Sequence, residues 1–242
     1  MTPPDKRLTS KRLTSELLLA QLQRRFTTIN DDVRIGDRSV NLHRPRSSED
    51  LISEADFERD ERLPYWAELW PSSTVLAHFI LAAHIQPART IELGCGVGLV
   101  SIAAALAGHQ VLATDYYEDA LLFTRANAFH NLGQEIETDT IDWRSIPPSL
   151  PRFDLVLASD VLYESRYADL VACTIDRVLS PNGFCYVADP GRVAAGAFAE
   201  ACQALGLTIA TKTTRPYLAG KIRQTITIYE IARRPNDTHV RP

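Results

Sequence analysis

Short apolar runs alternate with longer apolar stripes at helical spacing along the chain from residue 72 onward. The first stripe contains Val75, Leu76, Phe79, Ile80 and Ala83. Apolar strands that alternate with helices are typical of a parallel sheet covered on both faces, so the pattern predicts an α/β fold. The predicted helices span residues 72–84, 98–107, 118–131, 167–179 and 193–205, and the predicted strands span residues 89–93, 110–114, 135–141, 153–159 and 184–188.

The two ends of the chain depart from this alternation. Residues 208–214 and 222–231 have strand patterns with no helix between them, which predicts one antiparallel strand in the sheet. At the other end, a predicted helix over 15–25 precedes short hairpin strands at 26–29, 33–35 and 39–43. The charged segment 44–62 is expected to be a loop or a mobile lid. We therefore divide the chain into an N-terminal extension, residues 1–62, and a main domain, residues 63–242.

Composition and charge exclude several classes of protein. The chain has 242 residues, a formal net charge of −4 and no apolar run of the roughly 20 residues that a membrane span needs. The segment from Lys212 to Pro242 is basic, but it lacks the interleaved aromatic residues of a base-stacking surface, so nucleic acid is not the expected partner. The polar N-terminus has no secretory signal pattern.

Cysteines and histidines indicate neither disulfides nor a metal. The four cysteines are scattered, and three of them fall in predicted helices or strands, where we expect small buried side chains. The six histidines show no metal-ligand spacing. These patterns predict a reducing, cytoplasmic location and no metal site. The cysteines are Cys95, Cys173, Cys185 and Cys202.

The segment TIELGCGVGL, from Thr90 to Leu99, is the most informative part of the chain. It predicts a strand, a glycine loop and a helix start, and a second strand ends in Asp115. Glycines let the backbone approach a ligand closely, and an acid at the second strand tip accepts ribose hydroxyl groups. A dinucleotide fingerprint would place a third glycine where Leu99 stands. The candidate cofactor residues here are Glu92, Gly94, Cys95, Gly96, Gly98, Asp115 and Tyr116.

The next two strand ends supply further candidates, because ligands of open α/β sheets bind beyond the carboxyl ends of the strands. Asp142 and Trp143 follow the third strand, where a carboxylate would accept an adenine amine and an indole would stack on the ring. Ser159, Asp160 and Tyr163 follow the fourth, and the spacing of Asp160 and Tyr163 directs both into one cleft.

These motifs together resemble the S-adenosylmethionine (SAM)-dependent methyltransferases, and among them the family 16 protein lysine methyltransferases. The resemblance rests on the glycine motif, the Asp-Trp pair, the Asp-x-x-Tyr segment, and a tryptophan, Trp70, before the first core helix. The segment PYWAELWP most resembles the branch that contains the electron-transfer-flavoprotein β-subunit lysine methyltransferase and its bacterial relatives. The resemblance to the methyltransferases implies a Rossmann-like, seven-stranded sheet with its last strand reversed.

The same resemblance implies roles for the candidate residues. Asp160 and Tyr163 would face the methyl acceptor, with Asp160 orienting an amine and countering the charge that it gains. Glu92 and Gly98 would be close neighbours of the pocket. Glu68 would be either a second carboxylate on the acceptor side or the partner of an arginine. The residues implied to line the SAM pocket are Trp70, Gly94, Gly96, Asp115, Trp143 and Ser159.

Four functions are compatible with these residues to different degrees. The leading interpretation is methyl transfer from SAM to a protein lysine amine, leaving S-adenosylhomocysteine. A small-molecule N-methyltransferase of the nicotinamide or amine type would share the whole cofactor half. A non-catalytic SAM-binding interaction protein is disfavoured by the intact Asp160 and Tyr163 pair. A nicotinamide-dependent oxidoreductase is disfavoured by Leu99 and by the terminal hairpin.

Overall fold

The N-terminal part of the chain forms one helix and a two-stranded hairpin. The computed structural model describes residues 6–51 and 63–233. Helix α1 spans Lys6–Arg25, and strands β1 (Thr28–Ile35) and β2 (Arg38–Pro45) pair antiparallel. The sequence predicts three short strands, whereas the polar residues at 30–32 continue β1. The segment 44–62, expected to be a loop or lid, instead begins with the last two residues of β2 and contains a 3-10 turn at residues 49–51. Residues 52–62, and with them the domain boundary at residue 62, lie outside the described residues.

Within residues 63–233, seven strands and five α-helices build the main part, and a short 3-10 helix, Tyr65–Ala67, precedes them. The helices are α2 (Pro71–Ala82), α3 (Leu99–Leu106), α4 (Glu118–Leu132), α5 (Tyr167–Val178) and α6 (Ala195–Ala204). The strands are β3 (Arg89–Leu93), β4 (Gln110–Asp115), β5 (Glu137–Thr140), β6 (Phe153–Ser159), β7 (Leu179–Asp189), β8 (Leu207–Ala219) and β9 (Ile222–Arg233). Proline at the first position of α2 and left-handed Gly133 after α4 supply a helix start and a helix stop.

The seven strands form one sheet in the order β5-β4-β3-β6-β7-β9-β8. Only β9 runs antiparallel to its neighbours, so the predicted sheet with a reversed last strand is confirmed. The terminal hairpin is longer than predicted, because residues 215–219 continue β8 and pair with β9 rather than forming a loop. Strand β7 likewise begins at Leu179, five residues before the predicted start.

Both faces of the sheet are covered by apolar layers. Helices α2, α3 and α4 pack on one face, and α5 and α6 pack on the other. The hairpin side chains Val33, Ile35, Val40 and Leu42 are buried in the first of these layers. The prediction that the cysteines in helices and strands are buried is confirmed for Cys185 and Cys202 and is wrong for Cys173, which is exposed on α5. All four cysteines are free thiols, and the cytoplasmic location stays a prediction.

Two asparagines of α4 attach the hairpin to the main part. The Asn127 side chain accepts a bond from the His43 amide at 2.8 Å and donates to the His43 carbonyl at 2.9 Å. Asn131 makes the same pair of bonds with Asn41, at 2.9 and 2.8 Å. The Asn127 amide also donates to the Val97 carbonyl in the glycine loop at 2.9 Å, so the hairpin and the loop share one buried side chain.

Within the described ranges, none of the helices has the length and apolarity that a membrane crossing requires. The same part of the chain holds no group of three or more His, Cys, Asp or Glu side chains arranged for a metal ion.

Candidate active site

A cavity of about 390 Å³ lies at the carboxyl edge of the sheet, a volume typical of small-molecule sites. Segments that follow β3, β4, β5, β6 and β7 line it, together with the residues before α2. The structure brings eleven of the thirteen predicted site residues to this cavity. They are Trp70, Gly94, Cys95, Gly96, Asp115, Tyr116, Asp142, Trp143, Ser159, Asp160 and Tyr163.

The glycine loop after β3 is held against the tip of β4 by backbone hydrogen bonds. Asp115, which is 7% exposed, accepts bonds from the amides of Gly96 at 2.9 Å and Tyr117 at 3.1 Å. Gly96 has a φ of 55°, and a Cβ there would lie 3.0 Å from the Trp66 carbonyl oxygen. The loop therefore requires glycine, because a side chain would be strained and would press on backbone.

Glu92 and Gly98 lie outside the cavity lining. Glu92 is 1% exposed and accepts a hydrogen bond from the Ser101 hydroxyl of α3. Burial raises the pKa of its carboxyl to about 8, although the bond from Ser101 acts in the opposite direction. Gly98 starts α3 with a φ of 92°, and a Cβ there would lie 2.9 Å from the Thr124 side chain. Both residues therefore contact the helices that pack against the glycine loop rather than the cavity, and their contact with the cofactor stays a prediction.

Beyond β5, an arginine that the sequence analysis did not select accompanies the Asp-Trp pair. Arg144 donates to both oxygens of Asp142, at 3.0 and 2.7 Å, and its guanidinium lies 5.8 Å from the centre of the Tyr116 ring. The Trp143 ring meets Tyr167 edge-on at 5.9 Å and closes the cavity next to Gly94. This end of the cavity combines flat aromatic surface with a hydrogen-bonded carboxylate, the chemistry that suits a nucleoside.

At the opposite end, Asp160 sits in a strained backbone conformation. Its φ is 57°, in the left-handed region that residues other than glycine rarely adopt, and such strain is concentrated at functional sites. One carboxylate oxygen, Oδ2, accepts a bond from the Ser72 hydroxyl at 2.9 Å. The other, Oδ1, accepts from Arg192 Nε at 2.8 Å and lies 2.7 Å from Nη2. The side chain of Asp160 is only 3% exposed. A buried carboxylate needs a counter-charge, and the Arg192 guanidinium supplies it.

Arg192 is brought to Asp160 by the turn that follows β7. Asp189, which is fully buried, accepts bonds from the amides of Gly191 at 2.7 Å and Arg192 at 2.8 Å. Burial raises the pKa of the Asp189 carboxyl, against the effect of these two amides. The Arg192 guanidinium lies 5.4 Å from the Trp70 ring. The segment Asp-Pro-Gly-Arg could have signalled this turn from sequence, since Asp and Gly are typical turn formers.

Aromatic side chains in contact with one another line the cavity at this end. Tyr163 meets Tyr65 at 5.2 Å edge-on and Tyr167 at 4.8 Å. Tyr65 in turn meets Trp70 at 5.9 Å, and the Trp70 indole donates to the Tyr65 carbonyl at 2.9 Å. Sequence analysis predicted Tyr163 and Trp70 but missed both tyrosines, which reach the site from separate segments.

Glu68 lines the cavity and pairs with an arginine, the second of the two roles that the sequence left open. Arg44 of β2 donates to Glu68 at 3.0 Å and also binds Asp31 of β1. The Ser48 amide donates to the other Glu68 oxygen at 3.1 Å. The N-terminal hairpin therefore reaches the rim of the cavity through this ion pair.

Comparison with known proteins assigns a family to this arrangement. A family model described as lysine methyltransferase matches residues 54–198. Protein N-lysine methyltransferase METTL21A of Danio rerio is 34% identical over 146 residues, which cover 57% of this chain and 62% of the relative. The electron transfer flavoprotein β-subunit lysine methyltransferase of Xenopus laevis is 30% identical over 135 residues, which cover 53% of each chain.

A third relative, protein-lysine methyltransferase METTL21E of Mus musculus, is 33% identical over 132 residues, 47% of this chain and 52% of its own length. The chain thus spans about half the length of the curated relatives that it matches.

Solved structures show the same fold at lower identity. The magnesium protoporphyrin IX methyltransferase of Synechocystis PCC 6803, crystallised with SAM, has a TM-score of 0.56 at 17% identity and covers 76% of this chain and 94% of its own. A ribosomal protein L11 methylase from Lactobacillus delbrueckii subsp. bulgaricus has a TM-score of 0.54 at 23% identity and covers 67% and 79%.

Proposed function

The chain belongs to the lysine methyltransferase family, and from its site we propose that it transfers a methyl group from SAM to the side-chain amine of a protein lysine. The match to the family model confirms the family that the sequence motifs predict. One observation carries the proposal. A single cavity has Asp115 and the glycine loop at one end and the strained Asp160 with Tyr163 at the other.

The first end of the cavity fits SAM by the chemistry of its donors and acceptors. Asp115, which the amides of Gly96 and Tyr117 hold in place, would present its carboxylate to the ribose hydroxyls. Asp142 would accept the adenine amine while Arg144 holds its orientation, and Trp143 would stack on the ring. When bound, SAM supplies a methyl group on a positively charged sulfur.

The other end of the cavity suits a neutral amine. Ser72 uses one lone pair of Asp160 Oδ2, and Arg192 occupies Oδ1, which leaves a lone pair on Oδ2 for an N–H of the acceptor. Lysine has an ordinary pKa of about 10.4, and only its neutral form is a nucleophile. Because the Arg192 guanidinium balances Asp160, the site does not favour the ammonium form over the neutral amine.

Transfer needs the amine nitrogen, the methyl carbon and the sulfur in line. Bound SAM would supply the methyl group: its carbon–sulfur bond would break as the nitrogen–carbon bond forms, the bonding pair would stay on sulfur, and the methylated nitrogen would lose a proton to solvent. Asp160 would orient the amine, and the electron-rich rings of Tyr65, Tyr163 and Tyr167, which contact one another in the cavity lining, would attract the charged nitrogen. Positioning of this kind accounts for roughly 7–11 kcal/mol of a barrier in favourable cases.

The proposal is tested by following labelled methyl from SAM into defined acceptors. The β subunit of electron transfer flavoprotein is named for one relative and is the first protein acceptor to test. The matched control is the same protein with its lysine amines acetylated. We expect label in the first and none in the second. Label in nicotinamide or a simple amine alone would assign the small-molecule activity, and SAM binding without transfer to any of these acceptors would contradict the proposal.

A further inference from the structure

The β8–β9 hairpin extends past the carboxyl edge of the sheet. Strand β7 ends at Asp189, which lies opposite Thr227 of β9. Strand β9 begins five residues earlier, and those residues pair with β8, from Ile222 opposite Ala219 to Ile226 opposite Arg215. At about 3.3 Å per residue the overhang is roughly 16 Å long. We call residues 215–226 the arm.

The arm stands beside the acceptor end of the cavity. Its strand β9 neighbours β7, and β7 leads directly into the turn that carries Arg192 to Asp160. Helix α2, whose Ser72 binds Asp160, packs against both strands of the hairpin. With strands about 4.8 Å apart, β9 lies roughly 10 Å from β6, whereas Asp115 and Asp142 lie toward the opposite edge. A protein bound at Asp160 would therefore meet the arm.

The arm carries positive charge without compensating acids. Arg215, Lys221 and Arg223 are exposed and form no ion pair with any described residue. The sequence contains no Asp or Glu between Leu207 and Tyr229. Uncompensated charges of one sign create a potential that attracts the opposite sign. Near the tip, Leu218 is 65% exposed and Ile222 is 49% exposed, so the arm also offers apolar contact.

We propose that the arm is a docking surface for the protein acceptor, and that it recognises an acidic segment next to the target lysine. The inference rests on the proposed function, since it concerns the acceptor of the same site. It accounts for the basic character of residues 212–223, which the cofactor and acceptor residues leave unexplained. Charge complementarity selects an acidic polypeptide as the partner, and the exposed Leu218 and Ile222 favour a folded or peptide partner over a phosphate backbone.

The test compares two triple variants of the full chain. One is R215Q/K221Q/R223Q in the arm, and the matched control, R24Q/R34Q/R38Q, removes three exposed charges from the N-terminal part. The probes are fluorescent synthetic peptides with one lysine flanked by glutamates, serines or arginines, together with a single-stranded RNA oligonucleotide. Anisotropy gives binding, and calorimetry gives SAM affinity. Peptide binding needs no methyl transfer, so failure of the proposed function is seen separately.

We expect the wild-type chain to bind the glutamate-flanked peptide on the order of tenfold more tightly than the serine-flanked peptide, since exposed ion pairs each contribute roughly 1.5- to 5-fold. The arm variant should lose this preference while the control variant keeps it, and SAM affinity should not change. The preference should also weaken as salt is raised.

Several results would overturn the proposal. One is an unchanged preference in the arm variant, and another is an equal loss in both variants. Binding of RNA, lost in the arm variant, would assign the charges to nucleic acid instead. Self-association of the arm variant with an unchanged preference would assign them to protection of the exposed sheet edge, a common role of lysine on edge strands.

Discussion

The two ends of the cavity are built in different ways. At the cofactor end, Asp115 is held by backbone amides of Gly96 and Tyr117, which belong to the loops after two adjacent parallel strands. At the acceptor end, Asp160 is held by the side chains of Ser72 and Arg192, which lie 88 and 32 positions away in the chain. The position of Asp115 therefore depends on the register of two strands, and the position of Asp160 depends on side chains from distant elements.

The two ends of the cavity should therefore respond differently to substitution of the residues around each carboxylate. A carboxylate fixed by backbone amides keeps its place as long as the loop keeps its shape, so neighbouring side chains are free to vary. A carboxylate fixed by an arginine changes its charge balance when that one residue is replaced. We therefore expect substitutions at the cofactor end to weaken SAM binding, and substitutions at the acceptor end to alter transfer and acceptor preference.

The largest expected effect lies at the acceptor end. Asp160→Ala removes the group that orients the amine, and we expect the transfer rate to fall on the order of 10³-fold because in-line geometry is lost. SAM affinity should stay at the wild-type level, because Asp160 lies at the other end of the cavity. Single-turnover rates and calorimetric titration with SAM check the two halves of this expectation. A wild-type rate in the variant would remove Asp160 from the mechanism.

The complementary change at the cofactor end is Asp115→Ala. Loss of a carboxylate that accepts two ribose hydroxyls should weaken SAM binding by roughly 10²- to 10⁴-fold, since bonds to charged groups contribute about 1.5–3 kcal/mol each. At saturating SAM the transfer rate should recover much of its wild-type value. If Asp115→Ala instead lowered the rate with unchanged SAM affinity, the two ends of the cavity would not be separable.

The residues predicted for the cofactor end lie together in the structure because each is close in sequence to a strand end, and their contact with SAM stays a prediction. Gly94 and Gly96 follow directly on β3, Asp115 ends β4, and Asp142 and Trp143 follow β5. In a parallel sheet all of these positions meet at one edge, so a correct assignment of strands is enough to bring them together. Ten of the eleven predicted residues that line the cavity are there for this reason, and the eleventh, Trp70, comes from the segment before α2.

The parts that sequence reasoning missed depend on tertiary packing. Arg192 lies in the turn after β7 and pairs with Asp160. No sequence pattern predicts which carboxylate this arginine will bind. Tyr65 joins Tyr163 from a segment 98 positions away. The extension of β8 through Pro216 was also missed, because proline and polar residues indicate a loop unless the strand lies at a sheet edge.

A smaller effect tests the charge balance at the acceptor end. Arg192→Gln leaves Asp160 uncompensated, so the bound amine should hold its proton more tightly and its pKa should rise. We expect the transfer rate near neutral pH to fall roughly tenfold and the pH–rate profile to move upward by about one unit. Arg192→Lys keeps the charge and should keep the profile. An unshifted profile in Arg192→Gln would show that the guanidinium leaves Asp160 before transfer.

The smallest effect on transfer is expected in the buried layer beneath the cofactor end, where the change is one of stability. Burial raises the pKa of Glu92 from an ordinary 4.5 to about 8, so the folded chain holds a proton that the unfolded chain releases above about pH 4.5. The contribution of Glu92 to the free energy of unfolding should therefore be largest at low pH and should fall between about pH 5 and 8, by roughly 1 kcal/mol per pH unit. Glu92→Gln still accepts the Ser101 hydroxyl and cannot ionise, so its stability should change less over this range. Denaturant unfolding of both proteins at pH 5.5 and 8 measures the two slopes. Equal slopes would mean that Glu92 is already ionised in the folded chain, and the cofactor end would then carry a second buried negative charge beside Asp115.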